Sequence, residues 1–311
     1  AVASLGTFAS SYSIEFLGAP TAVDAGHTFL NTAALVLGDG GDALSFPPGI
    51  SHTAGSTELN GALSTTNANV AFAALALSGD SSINTDTGAG NVQLASLGGA
   101  HDLLVSAGSG TMLVTGAVGD GSAANNLGSG TGPALDTTGT SGIVEFADSI
   151  NANSGFTIPG PAVFRGDANF GQVLAGDTGI TLSNVATLDG LAMTSNRAVS
   201  FGAPVTISGG AVSIVTSAND SDVSFAAGIS GNQSLSVTTQ GAGAVTWNGD
   251  VALTGAAAGT NLFVSAASLS FAADVDASTV DRDIELYVDG LWLAVNNTIS
   301  AGTANLTIAP R

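Results

Sequence analysis

Cysteine is absent from the 311 residues, which excludes disulfide scaffolds and thiol chemistry. Lysine is absent as well. The four basic residues are Arg165, Arg197, Arg282 and Arg311, set against 24 acidic ones, for a formal net charge of −20. Nucleic acid and anionic membrane surfaces attract proteins through basic groups that displace counterions, so neither is an expected partner. Long apolar runs are missing too. The longest, Val70 to Leu77, falls far short of the roughly 20 residues of a helical bilayer span, and no membrane insertion is expected. No basic segment precedes an apolar run, so no signal peptide is visible. The chain reads as a processed mature protein or as a segment of a longer one. Helical periodicity is also lacking, because no window keeps apolar residues at i, i+3, i+4 and i+7.

What is present is glycine, 43 residues of it, together with Ala, Ser, Thr, Val, Asn and Asp in a repeating order. An apolar-x-aromatic (or apolar-x-Leu) triplet starts at Ile14, Leu44, Val70, Val92, Met112, Val144, Val163, Ile180, Val199, Val223, Val245, Leu269 and Leu291, with Met112 and Val163 degenerate. The strongest run is Val199-Phe201, Val223-Phe225, Val245-Trp247 and Leu269-Phe271, at steps of 24, 22 and 24. An aliphatic residue follows each at the same offset: Val205, Ile229, Val251 and Val275. Leu44-Phe46-Ile50 and Val144-Phe146-Ile150 repeat that trio.

Alternation at period 2 marks strands with one buried face, and Val, Ile, Phe and Thr suit a pleated surface. Gly, Asn, Asp and Ser between them turn the chain. A unit of about 22 residues is too short for a propeller blade of about 40 to 45 and suits one coil of a solenoid. The expected fold is therefore all-β: a parallel β-helix with about 22 residues per coil, right-handed by the bias of parallel crossovers. Residues 1–311 are expected to form a single β-solenoid domain. The Gly-, Ser- and Asn-rich stretch 119–142 is expected to be a surface loop excursion.

The Gly-Ala-Gly turns in TGAGNVQL (87–94) and QGAGAVTW (240–247), joined to Val-x-Phe units, resemble a known group. They are similar to the β-strand repeats of very large bacterial surface proteins, the filamentous-haemagglutinin-like and autotransporter-passenger β-solenoids. The resemblance covers most of the chain, best over 85–120 and 195–275. It implies an exported, extended protein that displays or builds a fibre, and it carries no catalytic residue to this sequence.

His27, His52 and His101 lie far apart and in no ligand spacing, so they read as surface or turn histidines. In DRDIELYVD (281–289) the alternation of Ile284, Leu286 and Val288 puts Asp281, Asp283 and Glu285 on the outer face, beside Asp274 and Asp276 of the preceding coil. Such a ladder of carboxylates suits Ca²⁺, which takes hard oxygen ligands. It equally describes a solvated strand edge, which is the preferred reading. LGDGGDALSF (37–46) faintly resembles a calcium-binding nonapeptide, but such sites need several turns in series. Glycoside cleavage requires two carboxylates facing across one bond, and no pair stands out. Trp247 is inward by phase, and Trp292 is outward or at an end. The threonines hold no common phase from coil to coil, which argues against an ice-binding ladder.

The expected function is structural and not enzymatic, without cofactor. The chain would be an extracellular or cell-surface subunit, or segment, of a self-assembling fibre or biofilm matrix filament, with copies of itself as head-to-tail partners. The alternatives are the stalk of a large cell-surface adhesin, or a β-helix that binds or cleaves extracellular glycans.

Overall fold

The computed structural model describes residues 5–18, 20–24, 26–130, 132–170, 179–217, 220–254, 260–276 and 282–311. Every regular element among them is a β-strand. Parallel strands stack in coils about 22 residues apart, a β-solenoid. The chain divides into two compact units, one ending at Pro161 and the other beginning at Ala162.

In the second unit each coil contributes three strands, and each strand position forms a column. The first column runs Ile180, Val199, Val223, Val245, Leu269, Leu291, with Leu182, Phe201, Phe225, Trp247, Phe271 and Leu293 beside it. The second runs Val205, Ile229, Val251, Val275, Ile299. The third runs Ile214, Val237, Val264, Leu286, Ile308. The repeated triplet and its trailing aliphatic residue thus occupy two adjacent strands of one coil. Phe201, Phe225, Trp247 and Phe271 are fully buried and stack nearly flat, with centroids 4.8, 5.4 and 5.0 Å apart and planes 1°, 14° and 5° from parallel. That spacing follows the backbone, since neighbouring strands lie about 4.8 Å apart. Burying each ring contributes about 1.5–3 kcal/mol. One triplet is shifted: the inward pair is Ala162 and Phe164, with Val163 half-exposed between them. The large ring takes the interior position, and Ala fills the smaller space before it.

The first unit keeps three columns and mixes their contents. His27, Ile50, Val70, Val92, Met112 and Val144 form one. Leu44 belongs to another, with Leu63, Ile83 and Val105, and Ile14 to the third, with Leu35 and Thr57. The triplets at Ile14 and Leu44 are therefore on different sides of the coil from those at Val70 and Val92. An apolar-x-apolar pattern marks an inward strand; it does not say which of three.

The 119–142 stretch is only partly a surface excursion. Asp120 to Asn125 are exposed, but Leu127, Ala134, Leu135 and Thr137 are buried. Leu135–Asp136 pairs with Leu103–Leu104 on one side and Phe156–Thr157 on the other, so this part of the loop is a rung of the stack. The buried Asn153 holds it in place. Its Nδ2 donates to the carbonyls of Ala123, Asn126 and Gly128 at 2.9, 3.3 and 3.1 Å.

Corners are closed by inward threonines. The hydroxyls of Thr65 and Thr85 donate to the carbonyls of Ala68 and Gly90 at 2.6 and 2.7 Å. Thr216 and Thr239 do the same to Ser221 and Gly243, each at 2.7 Å. Each bond satisfies a carbonyl that the turn would otherwise leave unpaired inside. Gly231 occupies an inward rung at φ +155°, where a Cβ would lie 2.1 Å from the Ile207 carbonyl oxygen. Only glycine fits there.

Candidate functional site

The acidic residues are not a diffuse coat. Many stand at turns and accept a backbone N–H from the equivalent turn of the next coil. Asp80 Oδ1 accepts from Asp102 N–H at 3.0 Å, and Asp102 Oδ1 in turn accepts from Ser129 N–H at 2.7 Å. Asn69 and Asn91 form the same chain to Thr111, each step at 2.9 Å. In the second unit Asp250 accepts from Asp274 and Asp274 from Thr298, at 3.3 and 2.7 Å. Asp220 and Asp222 accept from Ala242 and Ala244 at 2.6 and 2.7 Å. A carboxylate accepting a backbone N–H makes a charge-assisted bond. In the sequence these rungs are marked by an Asp or Asn directly before a strand, returning at the coil interval.

One groove of the first unit gathers such residues. A cavity of about 500 Å³ is lined by Asp42, Asp80, Asp102 and Asp136, with Leu104 and Pro133 among its apolar surfaces. Asp42 Oδ2 accepts the N–H groups of Asp39 and Gly18 at 2.9 and 3.3 Å. The first of these holds its carboxyl below the usual value, while the hydrogen bond to Asp42 and then its charge push Asp39 upward. This pair lies in the LGDGGDALSF stretch. Each carboxylate in the groove has its own protein donor or a nearby imidazole: His101 Nδ1 lies 3.5 Å from Asp80, and Asp136 accepts from Thr138 N–H. The arrangement binds the coils to one another.

Of the three calcium candidates, Asp281 lies outside the described residues. Asp283 and Glu285 project from the same side of Asp283–Leu293, and each has a protein donor. Asp283 Oδ1 accepts the backbone and side-chain N–H groups of Asn305, at 2.9 and 3.2 Å. Glu285 accepts the Thr260 hydroxyl at 2.5 Å. Among the described residues, no group of three or more His, Cys, Asp or Glu is disposed to hold a metal ion.

The histidines differ from expectation. His101 is at the surface, but His52 is fully buried, and His27 nearly so, in the core of the first unit. His52 bridges the Thr57 hydroxyl, 3.0 Å from Nδ1, and the Asn31 carbonyl, 2.9 Å from Nε2. The carbonyl can only accept, so the proton sits on Nε2, and the Thr57 hydroxyl is left to donate to Nδ1. His27 packs on Phe29 at 4.3 Å with its Nε2 buried and unpartnered, and burial lowers its pKa. Both occupy inward strand positions, which an apolar-x-apolar pattern does not mark when the inward residue is histidine.

The second unit presents a different surface. The outward residues of its first column are Thr181, Ser200, Ser224, Thr246, Ser270 and Trp292. Hydroxyls do hold one phase over consecutive coils once Ser and Thr are counted together. Ser224 Oγ donates to Ser200 Oγ at 3.2 Å. Where the column reaches Trp292, a shallow cavity of about 310 Å³ opens over Thr246, Ser268, Ser270 and Gly290. Earlier on the two strands that carry Ser270 and Trp292, Phe263 and Tyr287 stand partly exposed, with ring centroids 5.7 Å apart. Trp247 is wholly interior. The architecture is that of β-helix repeat proteins. Comparison with family models, curated proteins and solved structures found no match.

Proposed function

We propose that this chain is a structural element of an extracellular or cell-surface fibre, of the filamentous-haemagglutinin-like kind, whose coils continue by stacking on those of neighbouring copies. The observation that supports this is the edge strand Leu306–Ala309. Among the described residues it pairs on one side only, with Asp283–Leu293. Its inward-phase residues Leu306 and Ile308 are 43% and 51% exposed, and Leu293 on the coil beneath is 40% exposed. A row of unpaired N–H and C=O groups beside exposed core residues is a template for a further strand, whether another copy or the same polypeptide supplies it. A head-to-tail contact between copies is heterologous and does not close, so it propagates as a filament.

Sedimentation velocity across a wide concentration range, with negative-stain electron microscopy, tests the proposal. Growing species and thin filaments are expected. A chain that stays monomeric at high concentration would overturn it in favour of a stalk in which the same polypeptide supplies the next coil. No cofactor and no turnover are part of this proposal. A rise in melting temperature with millimolar calcium that is lost in Asp283→Asn would add a cation.

A further inference from the structure

We propose that the outward groove beside Trp292 binds an extended, uncharged polysaccharide chain lying along the direction of coil stacking. The chain has two tryptophans. Trp247 is fully buried, while Trp292 is 56% exposed on an outward position. An indole held at the surface offers a flat apolar face with one polar edge, which suits a ligand that is apolar on one side and wet on the other. The C–H face of a hexose ring has that character.

The floor next to the indole completes the match. Thr246 and Ser270 carry hydroxyls with no protein partner among the described residues, and Ser268 is exposed alongside. Gly290 stands opposite Ser268 and removes a side chain from the next rung, which opens the 310 Å³ depression. Rungs repeat at about 4.8 Å, close to the length of one hexose in an extended β-linked chain. Successive sugars therefore meet successive hydroxyls of Ser224, Thr246 and Ser270 before reaching the indole. Charge selects the class of polymer. No residue lining the depression is charged, and the surrounding chain carries a net −20, with Asp289 immediately before Gly290. An anionic polysaccharide is repelled, and a neutral one is not.

The test uses the full chain. In a Trp247→Phe variant Trp292 is the sole indole, and its emission and acrylamide quenching are followed during titration with cellohexaose, chitohexaose and hexagalacturonate. A saturable blue shift and protection from quenching are expected with at least one neutral oligomer and not with hexagalacturonate. Thr246→Val combined with Ser270→Val should weaken that binding roughly tenfold. In parallel, the unaltered chain should co-sediment with cellulose or chitin, and Trp292→Ala should not. The proposal fails if neither neutral oligomer perturbs Trp292 at millimolar concentration and neither solid retains the protein. It fails equally if hexagalacturonate binds as well as the neutral oligomers. Protection that follows protein concentration and not added sugar also overturns it, because the occupant is then a second copy.

Discussion

The two units build one kind of coil with different interiors. In the second, a single column supplies Phe201, Phe225, Trp247 and Phe271 at consecutive rungs, and the rings lie flat on one another. One column of the first unit reads His52, Phe72, Leu94, Val114, Phe146. Elsewhere in that unit Phe16, Phe29 and Phe46 meet edge-on, at 5.7, 5.8 and 6.2 Å with interplanar angles of 76° to 86°. Polar groups fill the gaps: Asn31, His52 and Thr57 are all fully buried. Where successive rungs match in shape, the ladder alone aligns them and dispersion is gained along the whole stack. Where they differ, specific hydrogen bonds must hold each rung, and losing one partner strands the other.

The sharpest way to break the comparison is to remove a ring from the flat stack. Trp247→Ala is expected to lose about 3–5 kcal/mol, read by urea or thermal unfolding, because the cavity is walled above and below by fixed rings. The loss should fall mainly on adjacent coils, as in other stacked repeats. Parent-like stability would show that the rings stack without supporting one another.

In the first unit the matching test is His52→Phe. The ring volume is largely kept, but the Asn31 carbonyl and Thr57 hydroxyl lose their partner, at a cost of about 1–3 kcal/mol. If this variant is as stable as the parent, the polar pins are incidental. A smaller effect, shared by both units, is expected at the corners. Thr85→Val and Thr216→Val should each cost about 0.5–1.5 kcal/mol, the net worth of one hydrogen bond.

Two finer tests follow. The indole N–H of Trp247 is buried without a partner, so Trp247→Phe should leave stability unchanged or raise it. His27 provides a pH signature for the first unit alone. Its pKa is lowered in the folded state by burial, so the unfolded chain takes up the proton first. Stability from this group is present above the unfolded value of about 6.5 and declines as pH falls below it. The slope should disappear in His27→Gln; a slope that persists would place the titration elsewhere.

The coil was legible because its signal is local. Val-Ser-Phe at 199 and 223, followed by Val-Thr-Trp at 245, alternates at the strand period and returns at the coil interval, so both the strands and their stacking follow from the chain itself. The carboxylate rungs were legible in principle, since Asp250 and Asp274 precede Val251 and Val275 at one coil interval. Histidine was not, because its burial in the core depends on what meets it. His52 is tolerable inside only because Asn31, twenty-one residues earlier, turns a carbonyl toward it.

From the sequence alone came the all-β class, the parallel coil, its interval, and the inward phase of Phe225 and Trp247. Periodicity and turn chemistry are properties of short segments, which decide these points before any distant contact forms. The tertiary structure decided which of three columns each triplet joins, that Leu135 in a glycine-rich loop is a buried rung, and that the turn aspartates bind coil to coil. It also decided that the hydroxyls of Thr246 and Ser270 line up beneath Trp292. These depend on how many residues each intervening turn consumes, and that is settled only when strands distant in sequence come into register.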